Sequence, residues 1–169
     1  MEGKPVADSR TVMAQIMNSL DTNLAGNVHG GVIMKLIDTL GGAVGTRHAR
    51  ANVVTASVDR LDFHYPLFIG DLVTLYASLN YVGITSMEVG VRVESENLMT
   101  GERHHIASAY LTFVALDRNN RPIPVPPLIL ETDDEIRRNH EAKERRERRL
   151  AEKTKEKQCQ LDANKCDFS

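Results

Sequence analysis

A chain of 169 residues can hold one domain with a hydrophobic core and an appendage. Its formal net charge of −2 and the lack of a large basic patch argue against nucleic acid as a partner. No stretch is apolar enough to span a membrane, and the N-terminus lacks the apolar run of a signal peptide, so we expect a cytoplasmic protein with no membrane partner. Cys159 and Cys166 lie in a charged tail without a metal-ligand pattern, which indicates a reducing cytosol rather than a disulfide scaffold or a zinc site.

The first elements are a strand, a loop and a long helix. Apolar and polar residues alternate from Arg10 to Met17, as in a strand, and residues 21–26 have loop composition. The helix is predicted from about Gly30 to His48, where apolar residues recur at helical spacing and form a stripe that should be buried. The members of this stripe are Val32, Ile33, Leu36, Ile37, Leu40 and Val44.

Four strands follow, over residues 53–63, 73–79, 86–94 and 106–116. The third has the clearest half-buried pattern, with Met87, Val89, Val91 and Val93 on one face and Ser86, Glu88, Arg92 and Glu94 on the other. Short turns between consecutive long strands predict antiparallel pairing. The expected fold class is α+β, with an antiparallel sheet wrapped around one long central helix. Such a sheet keeps one face uncovered, so self-association is expected.

The prolines of residues 121–127 end the sheet, because proline cannot donate to a ladder. We therefore place the folded domain at residues 1–127, and a Pro-rich linker, a charged helix and a disordered tail at 128–169. Thr132 and Glu135 form a capping box, and the charges up to Lys157 are spaced to pair across helical turns. Two interpretations are open for this helix, a solvated helix with a disordered segment after Lys157 or an oligomer contact.

The helix start carries the residues that suggest chemistry. Asn27 stands just before His29-Gly30-Gly31, and Asp38 follows in an otherwise apolar stretch that looks buried. Helix N-termini carry unpaired N–H groups that suit a carbonyl oxygen becoming negative, and a buried acid is costly unless it is paired or used. The combination predicts acyl transfer or ester hydrolysis. The alternative is an exposed or salt-bridged aspartate beside ordinary turn chemistry.

Three glycines share a helix face with Asp38, namely Gly31, Gly42 and Gly45. Glycine inside a helix is destabilising by about 1 kcal/mol relative to alanine, so a close approach is expected there, either of a ligand or of a packed strand or helix. Asp38 lies roughly 12 Å along the axis from the helix start. Catalysis by both groups therefore implies a dimer in which two chains share each site.

Several segments together resemble the hotdog-fold acyl-CoA thioesterases, in particular the bacterial YciA group and the cytosolic (brain) acyl-CoA hydrolases. These segments are Asp21-Thr-Asn-Leu-Ala-Gly-Asn-Val-His-Gly-Gly31, Met34-Lys-Leu-Ile-Asp38, Val54-Thr55, Asp62-Phe-His64, Gly70-Asp71 and Val82-Gly-Ile-Thr-Ser-Met-Glu-Val89. The resemblance covers roughly residues 8–127. It implies a hotdog fold, hydrolysis of acyl-CoA to fatty acid and CoA, sites between two hotdog units, and assembly as dimers or trimers of dimers.

The resemblance also implies site residues. The family's catalytic carboxylate matches Asp38 and its asparagine matches Asn27, with no metal or cofactor expected. Relatives often have a polar or basic residue where this chain has Ile84, which puts a CoA contact from that side chain in doubt. The expected substrate contacts are His29, Gly30, Gly31, Thr55, His64, Thr85 and Ser86, with His29 also supporting its loop and His64 near the pantetheine path.

The expected mechanism needs no strong general acid, because a thiolate leaves readily. Backbone N–H groups around Gly30 and Gly31 would polarise the carbonyl, Asp38 would act as general base or as nucleophile, and Asn27 would orient water or steady the oxyanion. Two alternatives are a hydroxyacyl-thioester dehydratase, for which His29 is the nearby histidine, and a non-catalytic acyl-CoA sensor. A DNA-reading sensor has no room for a helix-turn-helix before Asp8.

Overall fold

The computed structural model describes residues 1–161. Residues 162–169, with Cys166 and the end of the predicted tail, lie outside the described range. Cys159 is disulfide-bonded, so the expectation of a reduced thiol is wrong for that residue. Among the described residues, no helix is long and apolar enough to cross a bilayer. The helices are α1 (Gly30–Ala49) and α2 (Asp133–Leu161), and the strands are β1 (Lys4–Pro5), β2 (Thr11–Ile16), β3 (Asn52–Phe63), β4 (Leu72–Val82), β5 (Ser86–Glu96), β6 (Arg103–Leu116) and β7 (Leu128–Ile129).

Helix α1 confirms the predicted central helix. It begins after His29, whose side chain accepts from the Gly31 N–H, and it ends at Arg50, which adopts a left-handed conformation with φ 53°. Four members of its predicted apolar stripe are buried, and the other two, Val32 and Leu36, are half-buried against the core. The aliphatic side chains of that buried stripe are Ile33, Ile37, Leu40 and Val44.

The main sheet has five strands in the order β2-β4-β5-β6-β3, all antiparallel. Pairing of consecutive strands is confirmed for β4, β5 and β6, but it is wrong for β3, which pairs with β6 instead of β4. Residues 64–71 are long enough to carry the chain from one side of the sheet to the other. There Gly70 and Asp71 bond to Met17, at 2.9 Å and 3.0 Å, which places β4 beside β2.

The core lies between α1 and one face of the sheet, and it explains the helix glycines. A Cβ on Gly41 would lie 2.9 Å from the ring of Phe113, which is fully buried on β6. A Cβ on Gly45 would lie 3.4 Å from Val53, and one on Gly42 would lie 3.8 Å from Phe113. Of the two interpretations of these glycines, close packing on a strand is the one that the structure shows.

Helix α2 begins with the predicted capping box. The Thr132 hydroxyl accepts from the Glu135 N–H at 3.3 Å, and the Glu135 carboxylate accepts from the Thr132 N–H at 3.3 Å. The helix continues to Leu161, so the expectation of disorder directly after Lys157 is wrong for residues 158–161.

Helix α2 covers part of the sheet face that does not contact α1, which we call the outer face. Arg145 of α2 bonds to Glu88 of β5 at 2.7 Å, and Asn139 donates to the carbonyl of Asn80 at 2.8 Å. Glu88 is only 2% exposed and Ala142 is fully buried. The expectations of a fully solvated helix and of an uncovered face are therefore wrong, because a buried acid on the strand matches a cation on the helix.

Candidate active site

Asp38 lies on α1 beside strand β3, where Thr55 contacts it. The Thr55 hydroxyl donates to Oδ1 of Asp38 at 2.5 Å. Asp38 is exposed in the single chain, which corrects the expectation of a buried carboxylate. It lies at the edge of the buried helix stripe, on the side of β3, which is an edge strand of the sheet. The carboxylate is thus held by one charge-assisted hydrogen bond and remains open to solvent.

The start of α1 is organised by His29. Its N–H donates to the Asp21 carbonyl at 2.7 Å, its carbonyl accepts from the Val32 N–H at 2.9 Å, and its Nδ1 accepts from the Gly31 N–H at 2.9 Å. Because Nδ1 accepts, the proton of the neutral ring resides on Nε2. Since the Gly31 N–H is engaged, the backbone donor left for a ligand is the Gly30 N–H, which has no partner among the described residues.

The loop before the helix contains two asparagines. The Asn23 Oδ1 accepts from the N–H groups of Ala25 at 2.9 Å and Asn27 at 3.3 Å. The Asn23 N–H also donates to the Asn27 carbonyl at 2.8 Å. Asn27 is half-buried, and its side-chain amide makes no hydrogen bond to any described residue. Asn23 therefore shapes the loop, whereas the Asn27 amide is available to a ligand.

His64 lies at the same end of the molecule as the helix start. The preceding residue, Phe63, ends β3, and its ring would lie 3.5 Å from a Cβ on Gly30. The His64 N–H donates to the Ile106 carbonyl at 2.9 Å, and its ring lies 5.2 Å from that of His105. His64 and Gly30 are thus neighbours of Phe63, as a shared substrate path would require.

Thr85 and Ser86 lie at the opposite end, Thr85 in the turn between β4 and β5 and Ser86 at the start of β5. Ser86 pairs with the β6 residue that itself pairs with Val54. Val54 and His64 are about ten residues apart along an extended strand, hence roughly 30 Å. Ile84 is 80% exposed, so its side chain is available in that turn. A single chain therefore does not bring Thr85 or Ser86 near His64.

His48 is a buried histidine that the sequence did not single out. It is 1% exposed, its Nε2 lies 2.8 Å from the Pro126 carbonyl, and its Nδ1 has no partner in the described part of the chain. Burial lowers the pKa of His48 below 6.5, and the hydrogen bond to Pro126 opposes this only partly. It lies near the end of α1, away from Asp38.

Two cavities of the molecule do not contain Asp38. Each has a volume of about 520 Å³, and both lie against α2 on the outer face of the sheet. No group of three or more His, Cys, Asp or Glu residues within residues 1–161 could hold a metal ion. Asp38, Thr55 and His29 are exposed in the single chain, outside both cavities.

Residues 25–102 match the family model described as the thioesterase superfamily. An uncharacterized acyl-CoA thioester hydrolase of Bacillus subtilis is 43% identical over 138 residues, which cover 82% of this chain and 80% of that protein. The chain belongs to this superfamily. The cytosolic acyl-CoA thioester hydrolase of Rattus norvegicus is 38% identical over 85% of this chain, and the match spans 38% of the rat protein.

Solved structures of superfamily members have the same fold. The acyl-CoA hydrolase of Staphylococcus aureus, solved with butyryl-CoA, CoA and CoA disulfide, is 34% identical, has a TM-score of 0.87, and matches 95% of this chain and 98% of its own. Variants of that enzyme with an aspartate, an asparagine or a threonine replaced by alanine are also solved. A hexameric acyl-CoA thioesterase without ligand is 38% identical, has a TM-score of 0.87, and matches 90% of this chain and 97% of its own. The predicted hotdog fold of this superfamily member is confirmed.

Proposed function

We propose that this protein hydrolyses fatty acyl-CoA to free fatty acid and CoA. The observation that carries the proposal is the Asp38 carboxylate, open to solvent and held at 2.5 Å by Thr55, in a chain of the thioesterase superfamily. A carboxylate that accepts one hydrogen bond keeps lone pairs free to receive a proton or to attack a carbonyl. The family relation supports a thioester as the bond that is broken.

Asp38 has two routes to the same products. As a general base it takes a proton from water, the hydroxide attacks the carbonyl carbon, and the CoA thiolate leaves. As a nucleophile its own oxygen attacks, the thiolate leaves, and water hydrolyses the resulting anhydride. In both routes the Thr55 hydroxyl keeps Oδ1 fixed, so that Oδ2 faces the substrate.

The substrate carbonyl needs a donor, and we propose the Gly30 N–H at the positive end of α1. Gly31 then has a steric role, because a Cβ there would lie 2.9 Å from the His29 Nδ1. Within one chain, the helix start and Asp38 are about 12 Å apart. We therefore propose that each site combines the helix start of one chain with Asp38 of its partner.

A homodimer is the proposed functional unit, and the hexameric relatives support a trimer of dimers as the larger assembly. Edge strand β3 exposes Val54 by 41% and Val58 by 47%. Apolar side chains on an unpaired edge favour a second copy of the chain as their cover. Light scattering after gel filtration distinguishes a dimer from a hexamer.

Two asparagines are candidates for the amide that assists Asp38. Asn27 is the first, because its side-chain amide makes no hydrogen bond to any described residue and can therefore bind a ligand. One observation favours Asn23. In the S. aureus enzyme the replaced aspartate follows the replaced asparagine by 15 positions and precedes the replaced threonine by 17. The same spacing around Asp38 selects Asn23 and Thr55.

Substitution by aspartate separates the side-chain oxygen of each asparagine, which accepts hydrogen bonds, from its NH₂ group, which donates them. Asn23→Asp keeps the acceptor that binds the N–H groups of Ala25 and Asn27 but removes the amide donor. Asn27→Asp removes the second donor in the same way. The variant that folds normally but loses turnover identifies the assisting amide. If both keep near-normal turnover, neither amide acts in the reaction.

The proposed hydrolysis is tested by following free thiol while the purified protein meets acyl-CoAs of several chain lengths. Asp38→Asn should preserve CoA binding and lower turnover by at least about two orders of magnitude. Asp62→Asn is the matched control, because Asp62 is also an exposed carboxylate and, among the described residues, pairs with Arg60. Tight binding without turnover on any chain length would instead favour the sensor, and formation of an enoyl thioester would favour the dehydratase.

Sharing of the site is tested by mixing subunits. Asp38→Asn chains are combined with Asn27→Ala chains, or with Asn23→Ala chains if Asn23 proves to carry the assisting amide, and each variant alone is expected to be inactive or nearly so. A refolded one-to-one mixture should recover about a quarter of the wild-type activity, because half of the dimers are mixed and each mixed dimer has one intact site. If the subunits exchange and no activity returns, the site lies within one chain.

The remaining contacts are proposed from their positions. His64 lies near the helix start and would line the pantetheine path, while Thr85 and Ser86 would contact CoA across the assembled interface. We further propose that the protein acts in the cytosol, which the name of the rat relative supports. Fractionation of cells, with detection of the protein in the supernatant after membranes are sedimented, tests this location.

A further inference from the structure

Three residues form a line on one face of α1, because they are spaced four positions apart. Gly30 lies at the helix start, Asp38 carries the proposed catalytic carboxylate, and Met34 lies midway between them. Met34 is a large apolar residue, yet it is 48% exposed in the single chain. It lies roughly 6 Å along the helix axis from each of the other two residues. An exposed apolar side chain therefore separates the helix start from the carboxylate.

Strand β3 lies beside this line, and two contacts hold it there. The Thr55 hydroxyl donates to Asp38 at 2.5 Å, and the Phe63 ring would lie 3.5 Å from a Cβ on Gly30. Since these contacts join both ends of the line to β3, the residues between them on the helix and on the strand border the same stretch of surface. That stretch runs from the proposed catalytic carboxylate to the helix start of the same chain.

The strand side of this surface is apolar. Val58 pairs with Leu111 and Phe63 pairs with Ala107, and both partners belong to the core between α1 and the sheet. Because directly paired residues of neighbouring strands lie on the same face, Val58 and Phe63 also point to the α1 side. They are nevertheless 47% and 46% exposed. Together with Met34 they form an open apolar surface, which we call the α1–β3 strip.

The α1–β3 strip lies on the side of the proposed site that CoA does not occupy. Thr85 and Ser86, the proposed CoA contacts, lie at the end of the sheet where Val54 precedes Thr55. The strip extends from Thr55 in the other direction. In a thioester the acyl chain and the CoA sulfur are bonded to opposite sides of the carbonyl carbon, so the acyl chain runs along the strip. This step rests on the proposed function.

The proposed twofold arrangement places Met34 at the end of that path. Gly30 of one chain lies beside Asp38 of the other, and residue 34 is the midpoint between these two positions in both chains. Because the helices are antiparallel, the two midpoints meet at the twofold axis. Met34 then lies against Met34 of the partner subunit, and the pair separates the two active sites. We propose that Met34 limits the length of the acyl chain that each site accepts.

Thiol release from butyryl-, octanoyl- and lauroyl-CoA by the full chain tests this inference. The measured quantity is kcat/KM for lauroyl-CoA divided by kcat/KM for butyryl-CoA. Met34→Ala shortens the side chain at the end of the path, so this ratio should rise at least about tenfold, the effect that one methylene in an apolar pocket can have. Met34→Trp enlarges the side chain and should lower the ratio. Met99→Ala is the matched control, because Met99 is 94% exposed in the turn between β5 and β6, outside the α1–β3 strip, and it should leave the ratio unchanged.

The ratio separates a role in specificity from a purely structural one. A weakened oligomer, detected by light scattering at the assay concentration, lowers turnover of all three substrates together and does not raise the ratio. An unchanged or lower ratio for Met34→Ala, while the wild type hydrolyses acyl-CoA, overturns the inference and leaves the proposed function intact. If the wild type hydrolyses none of the substrates, the proposed function fails. The same ratio, measured for wild type and Met34→Ala as acyl-CoA affinities by calorimetry, then decides the inference by itself.

Discussion

Replacing Arg145 with leucine should show how strongly α2 is held on the sheet. Arg145 approaches Glu88 at 2.7 Å, and the side chains of the two residues are 13% and 2% exposed. Removal of one partner from a buried ion pair typically destabilises a protein by about 3–5 kcal/mol, because the other charge remains desolvated. Asn80 still donates to Glu88 at 3.1 Å, so we expect the lower end, about 3 kcal/mol.

The double variant Glu88→Leu/Arg145→Leu removes both charges at once. Apolar replacement of a whole buried pair is often close to neutral, so the double variant should be more stable than Arg145→Leu alone. The contact between Arg145 and Tyr110 is lost in both variants and cancels from the comparison. The coupling free energy between the two positions should therefore exceed about 1 kcal/mol.

Denaturant unfolding at one protein concentration is the appropriate assay, because an oligomer's stability depends on concentration. In thermal unfolding, the loss for Arg145→Leu corresponds to a Tm lower by about 6–12 °C for a chain of this size. Arg148→Leu, on the exposed side of the same helix, should change the stability by less than about 0.5 kcal/mol. A loss below about 1 kcal/mol for Arg145→Leu, or strictly additive effects, would show that α2 does not enclose Glu88 in solution.

Three further perturbations test the site and the core. Thr55→Val removes the hydrogen bond to Asp38 and should lower turnover about tenfold or more, with little change in KM for acyl-CoA. A change in KM as large as the change in turnover would contradict a positioning role for Thr55. Because the pKa of His48 is lowered in the folded state, the unfolded state binds more protons below pH 6.5. The free energy of unfolding should therefore fall as the pH decreases, by up to about 1.4 kcal/mol per pH unit. His48→Gln should flatten this dependence of the unfolding free energy on pH. Gly41→Ala should destabilise the protein by about 1–3 kcal/mol in denaturant unfolding, because its Cβ would lie 2.9 Å from the buried ring of Phe113. Gly42→Ala should stabilise it, because there the Cβ would lie 3.8 Å from the same ring. Equal effects of the two variants would refute the packing argument.

Local sequence patterns determined the elements whose signals lie within a few residues. The helical spacing of apolar residues predicted α1 from Gly30, and Thr132 with Glu135 predicted the start of α2. Both predictions hold because periodicity and capping depend on neighbours along the chain. The proposed chemistry also came from one short segment around Asp38, where the residue types and the helix start are adjacent in sequence.

Tertiary structure decided the features that depend on residues far apart along the chain. Glu88 is polar by pattern, and its charge is matched in the interior by Arg145, 57 positions later. The pairing of β3 with β6, rather than with β4, likewise arises because residues 64–71 carry the chain across the sheet to the position beside β2.

The same distinction applies to the candidate site. The sequence suggested that Asp38 and the helix start act together, but it could not show that Asp38 is exposed or that Thr55 holds it at 2.5 Å. It also could not show that His29 engages the Gly31 N–H, which changes the expected donor to Gly30. Residue types and periodicity are local properties of the chain, whereas exposure and hydrogen-bond partners depend on which distant segments pack together.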